Sequence, residues 1–130
     1  MQLCVRDETA SGQGLHELSL EFLSEHITVR ELLRERVHYE VREFNRQRDR
    51  LVYNGLVQPE DTERTLNGSK LKVHRPLDWE AQFALAVEGF SRNAYFVIID
   101  DRQAETLDEK FVIGPLTKVT FIKLTPLVGG

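Results

Sequence analysis

Cysteine is almost missing from this chain, with Cys4 alone among 130 residues. A disulfide framework needs pairs, so none can be built within the chain, which suits a reducing compartment. Cys4 sits in an alternating strand pattern, where a buried, inert thiol is expected rather than a nucleophile. Long apolar runs are missing as well. No segment approaches the roughly 18 apolar residues of a membrane span, and nothing near Met1 resembles a signal core. The expectation is a cytoplasmic protein without a membrane partner. A positive excess is lacking too. The net charge is −4 and the isoelectric point near 5.6, whereas a nucleic-acid binder should carry a basic footprint, so no nucleic-acid partner is expected.

Catalytic constellations are also lacking. No Ser-His-Asp, Cys-His or phosphate-loop arrangement is visible. His16, His26, His38 and His74 are scattered without the spacing of zinc ligands. Asp100-Asp101 follows an apolar run and reads as a turn pair rather than a metal site. The chain is therefore expected to be no enzyme, with no catalytic residue, no metal ligand and no cofactor of its own.

What is present is material for one packed domain over residues 1–130. The chain is 41% hydrophobic and 29% charged, which excludes disorder on composition. Leu3 and Val5 alternate with polar neighbours over residues 1–6. Residues 7–14 form a turn-rich cluster, and Leu15, Leu18, Leu20 and Phe22 follow. Two such runs around a glycine-rich loop predict a β-hairpin. Thr28-Val-Arg-Glu31 is a capping box, with Ile27 and Leu32 placed as a hydrophobic staple. Behind it Val29, Leu33, Val37, Val41 and Phe44 recur at helical spacing, which predicts a helix from about Val29 to Gln47. Arg34, Arg36, Arg42, Arg46, Arg48 and Arg50 are interleaved with Glu31, Glu35, Glu40 and Glu43, the pattern of a solvated helix face.

The middle is less regular. Asn54-Gly55, Pro59-Glu60-Asp61 and Asn67-Gly68 are turn signals. A short helix between Pro59 and Leu66, stopped at Asn67-Gly68, and a brief extended piece at Leu71 and Val73 are expected. Asp78 reads as the N-cap of a second helix carrying Trp79, Phe83, Val87 and Phe90 on one face and ending at Asn93. Strand patterns return at Tyr95–Ile99, Phe111–Ile113 and from Val119 through Phe121 toward Leu124. Pro126 should end pairing there. A last strand beside the first would make a mixed sheet with the first helix across one face, an α+β arrangement.

This order, closed by Thr125-Pro-Leu-Val-Gly-Gly130, resembles the β-grasp ubiquitin-like proteins. Residues 96–100, 114–121 and 125–130 are similar to the sulfur-carrier branch, which includes the small subunit of molybdopterin synthase and the thiamine sulfur carrier. The resemblance covers residues 1–45 and 95–130. Residues of about 46–94 then form a helical insertion between helix 1 and strand 3 of that fold. Larger ubiquitin-like proteins of this kind are encoded in bacterial operons beside activating, conjugating and deubiquitinating-type enzymes, and the chain looks most like those.

The resemblance implies a role for the tail at residues 125–130. Gly130 would be the acyl donor, its carboxylate adenylated by an activating-type enzyme that uses ATP and magnesium. Transfer to a thiol and then to an amine on a target protein would follow, with a conjugating-type enzyme and an isopeptidase as further partners. Pro126, Leu127, Val128 and Gly129 would be read by the activating enzyme. Glycine without a Cβ suits a narrow active-site channel. Two alternatives come with the same resemblance: a sulfur carrier ending in a thiocarboxylate, and a β-grasp binding module that is never activated.

Overall fold

A computed structural model describes residues 1–65 and 68–124. The tail from Pro126 to Gly130 and the expected helix stop at Asn67 lie outside those residues. Strand β1, Gln2–Thr9, turns back into β2, Gly14–Glu21. The two pair antiparallel from Gln2↔Glu21 to Glu8↔Gly14, with a bulge at Asp7/Glu8. The predicted hairpin is present, but its first strand is longer than expected. Asp7 does not begin the turn. It continues the buried inward series Leu3, Val5, Asp7. The same period of two places Cys4 on the outer face, where it is exposed, so the expected buried thiol is corrected.

A short β3, His26–Thr28, leads into α1, Val29–Arg46. The Thr28 hydroxyl accepts from the Glu31 backbone N–H at 3.1 Å and donates to the Glu31 carboxylate at 3.4 Å. Ile27 and Leu32, on either side of this cap, are both buried. The buried stripe of α1 contains Val29, Leu33, Val37, Val41 and Phe44 as expected. It also contains Leu32 and Arg36, so the arginine-rich stretch is not wholly a solvated face.

Three short strands follow: β4, Val52–Tyr53, β5, Glu63–Thr65, and β6, Gly68–Lys70. They form a small antiparallel sheet in the order β4-β6-β5. The helix expected between Pro59 and Leu66 is replaced by a turn and β5. Asp61 takes a positive φ of 57°, which interrupts a helical run, and Thr62 Oγ1 closes the turn onto the Pro59 carbonyl at 2.7 Å. The extended piece expected at Leu71 and Val73 lies earlier, at residues 68–70, with Leu71 buried just after it and Val73 exposed.

Helix α2, Trp79–Ser91, begins as expected at Asp78, whose side chain accepts from the Glu80 N–H at 3.2 Å. Asn93 ends it with φ 59°, while the Ala94 N–H reaches the Gly89 carbonyl and the Asn93 N–H reaches that of Phe90. This pair of bonds is a Schellman closure. The buried face of α2 is not the expected aromatic one. Gln82, Ala86 and Gly89 point inward, and Trp79, Phe83 and Phe90 flank them half-buried. Small residues let α2 approach α1 closely. Asn45 on α1 clamps the backbone before α2, exchanging bonds of 2.9 and 2.8 Å with Leu77. Trp79 meets His38 of α1 at 5.0 Å between ring centroids.

Strand β7, Tyr95–Ile99, and β8, Arg102–Gln103, form a tight hairpin. Asp100 and Asp101 are its turn, with φ of 48° and 69°, as a two-residue type I′ connection requires. Strand β9, Lys110–Val112, pairs with β3, and β10, Val119–Lys123, completes the main sheet. That sheet runs β2-β1-β10-β7-β8. β10 is parallel to β1 from Val5↔Val119 to Thr9↔Lys123, and antiparallel to β7. The architecture is α+β with a mixed sheet. Its inner face carries Leu3, Val5, Leu18, Leu20, Val97, Val119 and Phe121 against α1. Among the described residues, no helix is long and apolar enough to cross a membrane.

Candidate functional site

The candidate acyl donor Gly130 and the residues expected to guide it, Pro126, Leu127, Val128 and Gly129, lie beyond the described residues. The structure instead shows what delivers them. β10 is held on both sides, by β1 and by β7, and its last pairings are Thr9↔Lys123 and Lys123↔Tyr95. Among the described residues the ladder ends at Lys123, and Leu124 follows it outside any strand, 42% exposed. This end of β10 borders a cleft of about 570 Å³ lined by Leu56, Val57, Pro59, Leu85, Tyr95 and Lys123. The cleft joins the end of β10 to the loop after β4 and to the C-terminal half of α2.

Inside the core, against Phe121 of the same strand, lies a charged cluster. Arg36 and Asp7 are both fully buried. The guanidinium grips the Asp7 carboxylate with two bonds, Nη1 to Oδ1 at 2.5 Å and Nη2 to Oδ2 at 2.6 Å. It also reaches Glu40 from Nε at 3.3 Å and from Nη2 at 3.4 Å. Its flat face lies 4.4 Å from the centroid of Phe121, the middle residue of β10. His16 Nε2 stands 3.4 Å from Asp7 Oδ2 at the half-exposed edge of the cluster. Burial opposes the charge on Arg36, but Glu40 and Asp7 outweigh it and hold the guanidinium firmly protonated.

The cluster continues to the cleft. Glu40 Oε1 accepts from the Leu56 N–H at 3.2 Å, and Lys123 Nζ donates to the Gly55 carbonyl at 3.0 Å. The loop at residues 54–57 is thus pinned from α1 and from β10 at once. Burial pushes the Lys123 amine down, Arg36 adds repulsion, and Asp7 and Glu40 oppose. Tyr95 crosses the cleft floor and donates its hydroxyl to the Ala86 carbonyl at 2.6 Å. Burial pushes the Tyr95 and Tyr53 phenols well above their ordinary value of 10.0.

These shifts set the alkaline behaviour. Above about pH 10 the unfolded phenols lose protons that the folded Tyr53 and Tyr95 keep, so stability declines as pH rises. Lys123 acts with opposite sign. Its folded amine sheds a proton first, so its contribution grows with pH and levels off near the ordinary amine value of 10.5. Two phenols outlast one amine. Urea unfolding between about pH 10 and 12 is expected to show falling midpoints with a delayed phenolate absorbance, and Tyr95→Phe is expected to flatten that slope.

Sequence reasoning missed this cluster, although its signal was present. Asp7 keeps the inward phase of Leu3 and Val5. Arg36 keeps the phase of Leu32, Leu33 and Val37. Two opposite charges, each in register with a core face, mark a pair that meets inside. Among the described residues no group of His, Cys, Asp and Glu is placed to hold a metal ion. No family model, curated protein or solved structure matches the chain.

Proposed function

We propose that the chain is a ubiquitin-like protein modifier of β-grasp type, with residues of about 46–94 inserted between its first helix and third sheet strand. In this reading Gly130 is the acyl donor. An activating-type enzyme with ATP and magnesium adenylates its carboxylate, and the acyl group passes to a thiol and then to an amine of a target protein. The chain is the substrate of that chemistry and supplies no catalyst. Conjugating-type enzymes and isopeptidases are its further partners, and the cytoplasm its compartment.

One observation carries the reading. The strand that leads into the diglycine tail is the central one, parallel to β1 and antiparallel to β7, with the capped α1 across the inner face. A tail grown from a central strand is anchored by two ladders, so an enzyme can draw it into a narrow channel without unravelling the domain. Glycine at residues 129 and 130 suits that channel, because no Cβ obstructs close approach.

The reading requires a free carboxylate at Gly130, and proteomics tests it. Trypsin cuts after Lys123, so a conjugated target lysine should carry residues 124–130 as a branched remnant. An N-terminally tagged chain expressed in its native cells is expected to yield such peptides. If intact mass instead shows sulfur replacing oxygen at the C-terminus, and no remnant is found, the chain is a sulfur carrier. If neither product forms, the activation proposal fails.

A further inference from the structure

We propose that the cleft beside the end of β10 binds a neutral, apolar aldehyde, and that Lys123 captures it as an imine. The placing of the amine carries the inference. Lys123 lines the cleft and is partly buried, whereas Lys70, Lys72, Lys110 and Lys118 are exposed. An ammonium has three N–H donors to satisfy. Among the described residues Lys123 Nζ makes one hydrogen bond, to the Gly55 carbonyl at 3.0 Å, and no ion pair. The carboxylates that act on it are engaged elsewhere. Asp7 is gripped by Arg36, and Glu40 is divided between Arg36 and the Leu56 N–H. Arg36 and Arg64 repel a positive charge there. An ammonium so placed is costly, and a lysine beside other cations in an apolar site is the usual imine-forming amine. A neutral Lys123 gives one N–H to Gly55 and keeps its lone pair for a carbonyl carbon.

The cleft sets the class of ligand. Its volume of about 570 Å³ is that of a small-molecule site, and Leu56, Val57, Pro59, Leu85 and Leu124 give it apolar walls. Charge at its rim is balanced. Arg64 and Arg92 stand with Glu60, and Arg92 is paired with Glu88 at 3.8 Å. A neutral ligand therefore fits better than an ion. The walls are also held before any ligand arrives. Glu40 accepts from the Leu56 N–H, and Gln82 Nε2 donates to the Val57 carbonyl at 3.3 Å. A preformed site lowers the entropy cost of binding.

The capture balances without a cofactor. The Lys123 nitrogen bonds to the carbonyl carbon, both amine hydrogens pass to the carbonyl oxygen, and that oxygen leaves as water. Hydrolysis reverses the step, so the capture is reversible.

Reductive trapping of the full chain tests it. The chain is incubated near neutral pH with pentanal and cyanoborohydride, which reduces the imine to a stable secondary amine, and the labelled residues are mapped by mass spectrometry. The Met1 α-amine reacts in parallel and serves as the reference. Lys123 is expected to be labelled about tenfold more than each of the four exposed lysines, the gain from burying about two methylene groups. Acetaldehyde, too short to use the apolar walls, is expected to show a smaller preference. Leu85→Ser is expected to lower the labelling of Lys123 by pentanal and to spare the exposed lysines. Leu124→Ser should do the same at a residue 42% exposed and outside any strand, where the fold is not at risk. Labelling of Lys123 at or below that of the exposed lysines would overturn the proposal. So would an equal preference with acetaldehyde, or labelling unchanged in both variants. Neither result bears on Gly130, so this proposal and the proposed activation fail separately.

Discussion

Arg36→Ala is expected to remove about 3–5 kcal/mol of folding stability, the usual cost of stripping one partner from a buried ion pair. The reason is what remains. Asp7 is fully buried and its two oxygens would lose the guanidinium that now holds both. Glu40 would lose its two contacts with Arg36 and keep the Leu56 N–H. Phe121 would lose the cation above its ring, and a cavity would open in the centre of the core. Domains of this size carry about 5–15 kcal/mol in all, so the variant should be near its limit. With a urea slope of about 1–3 kcal/mol/M, the midpoint should fall by at least about 1 M. The pair need not be a net gain over apolar packing. Asp7→Leu/Arg36→Met/Glu40→Gln removes the charges together and leaves an amide oxygen for Leu56. It is expected to lie closer to the parent than Arg36→Ala does. A loss below about 1 kcal/mol for Arg36→Ala would mean that water screens the cluster after all.

Deleting Gly129 and Gly130 is expected to do the reverse, with function lost and the fold untouched. Among the described residues the last ladder partner of the sheet is Lys123, and the pairings that hold β10 are all made by residues 119–123. The melting temperature should move by less than about 2 °C, as for a substitution outside any packed element. Conjugation should fall by at least about a hundredfold, because the reacting carboxylate would then sit on Val128, displaced and β-branched, and misplacement of the reacting atoms costs about that much. The readout is the abundance of target lysines carrying the tail remnant, compared with the full chain in the same cells. Conjugates persisting at the parent level would remove Gly130 from its proposed role.

The two predictions describe opposite ends of one strand's work. Phe121 is packed under Arg36 at the heart of the molecule, while two residues later Lys123 holds the Gly55 carbonyl at the cleft. The core that fixes β10 also fixes the point from which the tail departs.

Local chemistry alone determined the hairpin, the capped α1, the Asp78 start and Asn93 end of α2, the Asp100-Asp101 turn and a last strand beginning at Val119. Each depends on neighbours within a few residues, so its signal lies in a short window. The candidate acyl donor came from a resemblance carried by the residue types at 126–130, which lie outside the described residues. Tertiary structure decided the rest. Asp7 and Arg36 are charges that solvent would claim unless a partner 29 residues away met them. The segment at residues 63–65 became a strand because β6 offered it a ladder and Asp61 broke the helix before it. Helix α2 turned Gln82, Ala86 and Gly89 inward, because close approach to α1 and to Tyr95 favoured small residues over the aromatic face. The cleft beside β10 belongs to no single stretch of chain, since its walls come from three segments that only the folded sheet and helices bring together.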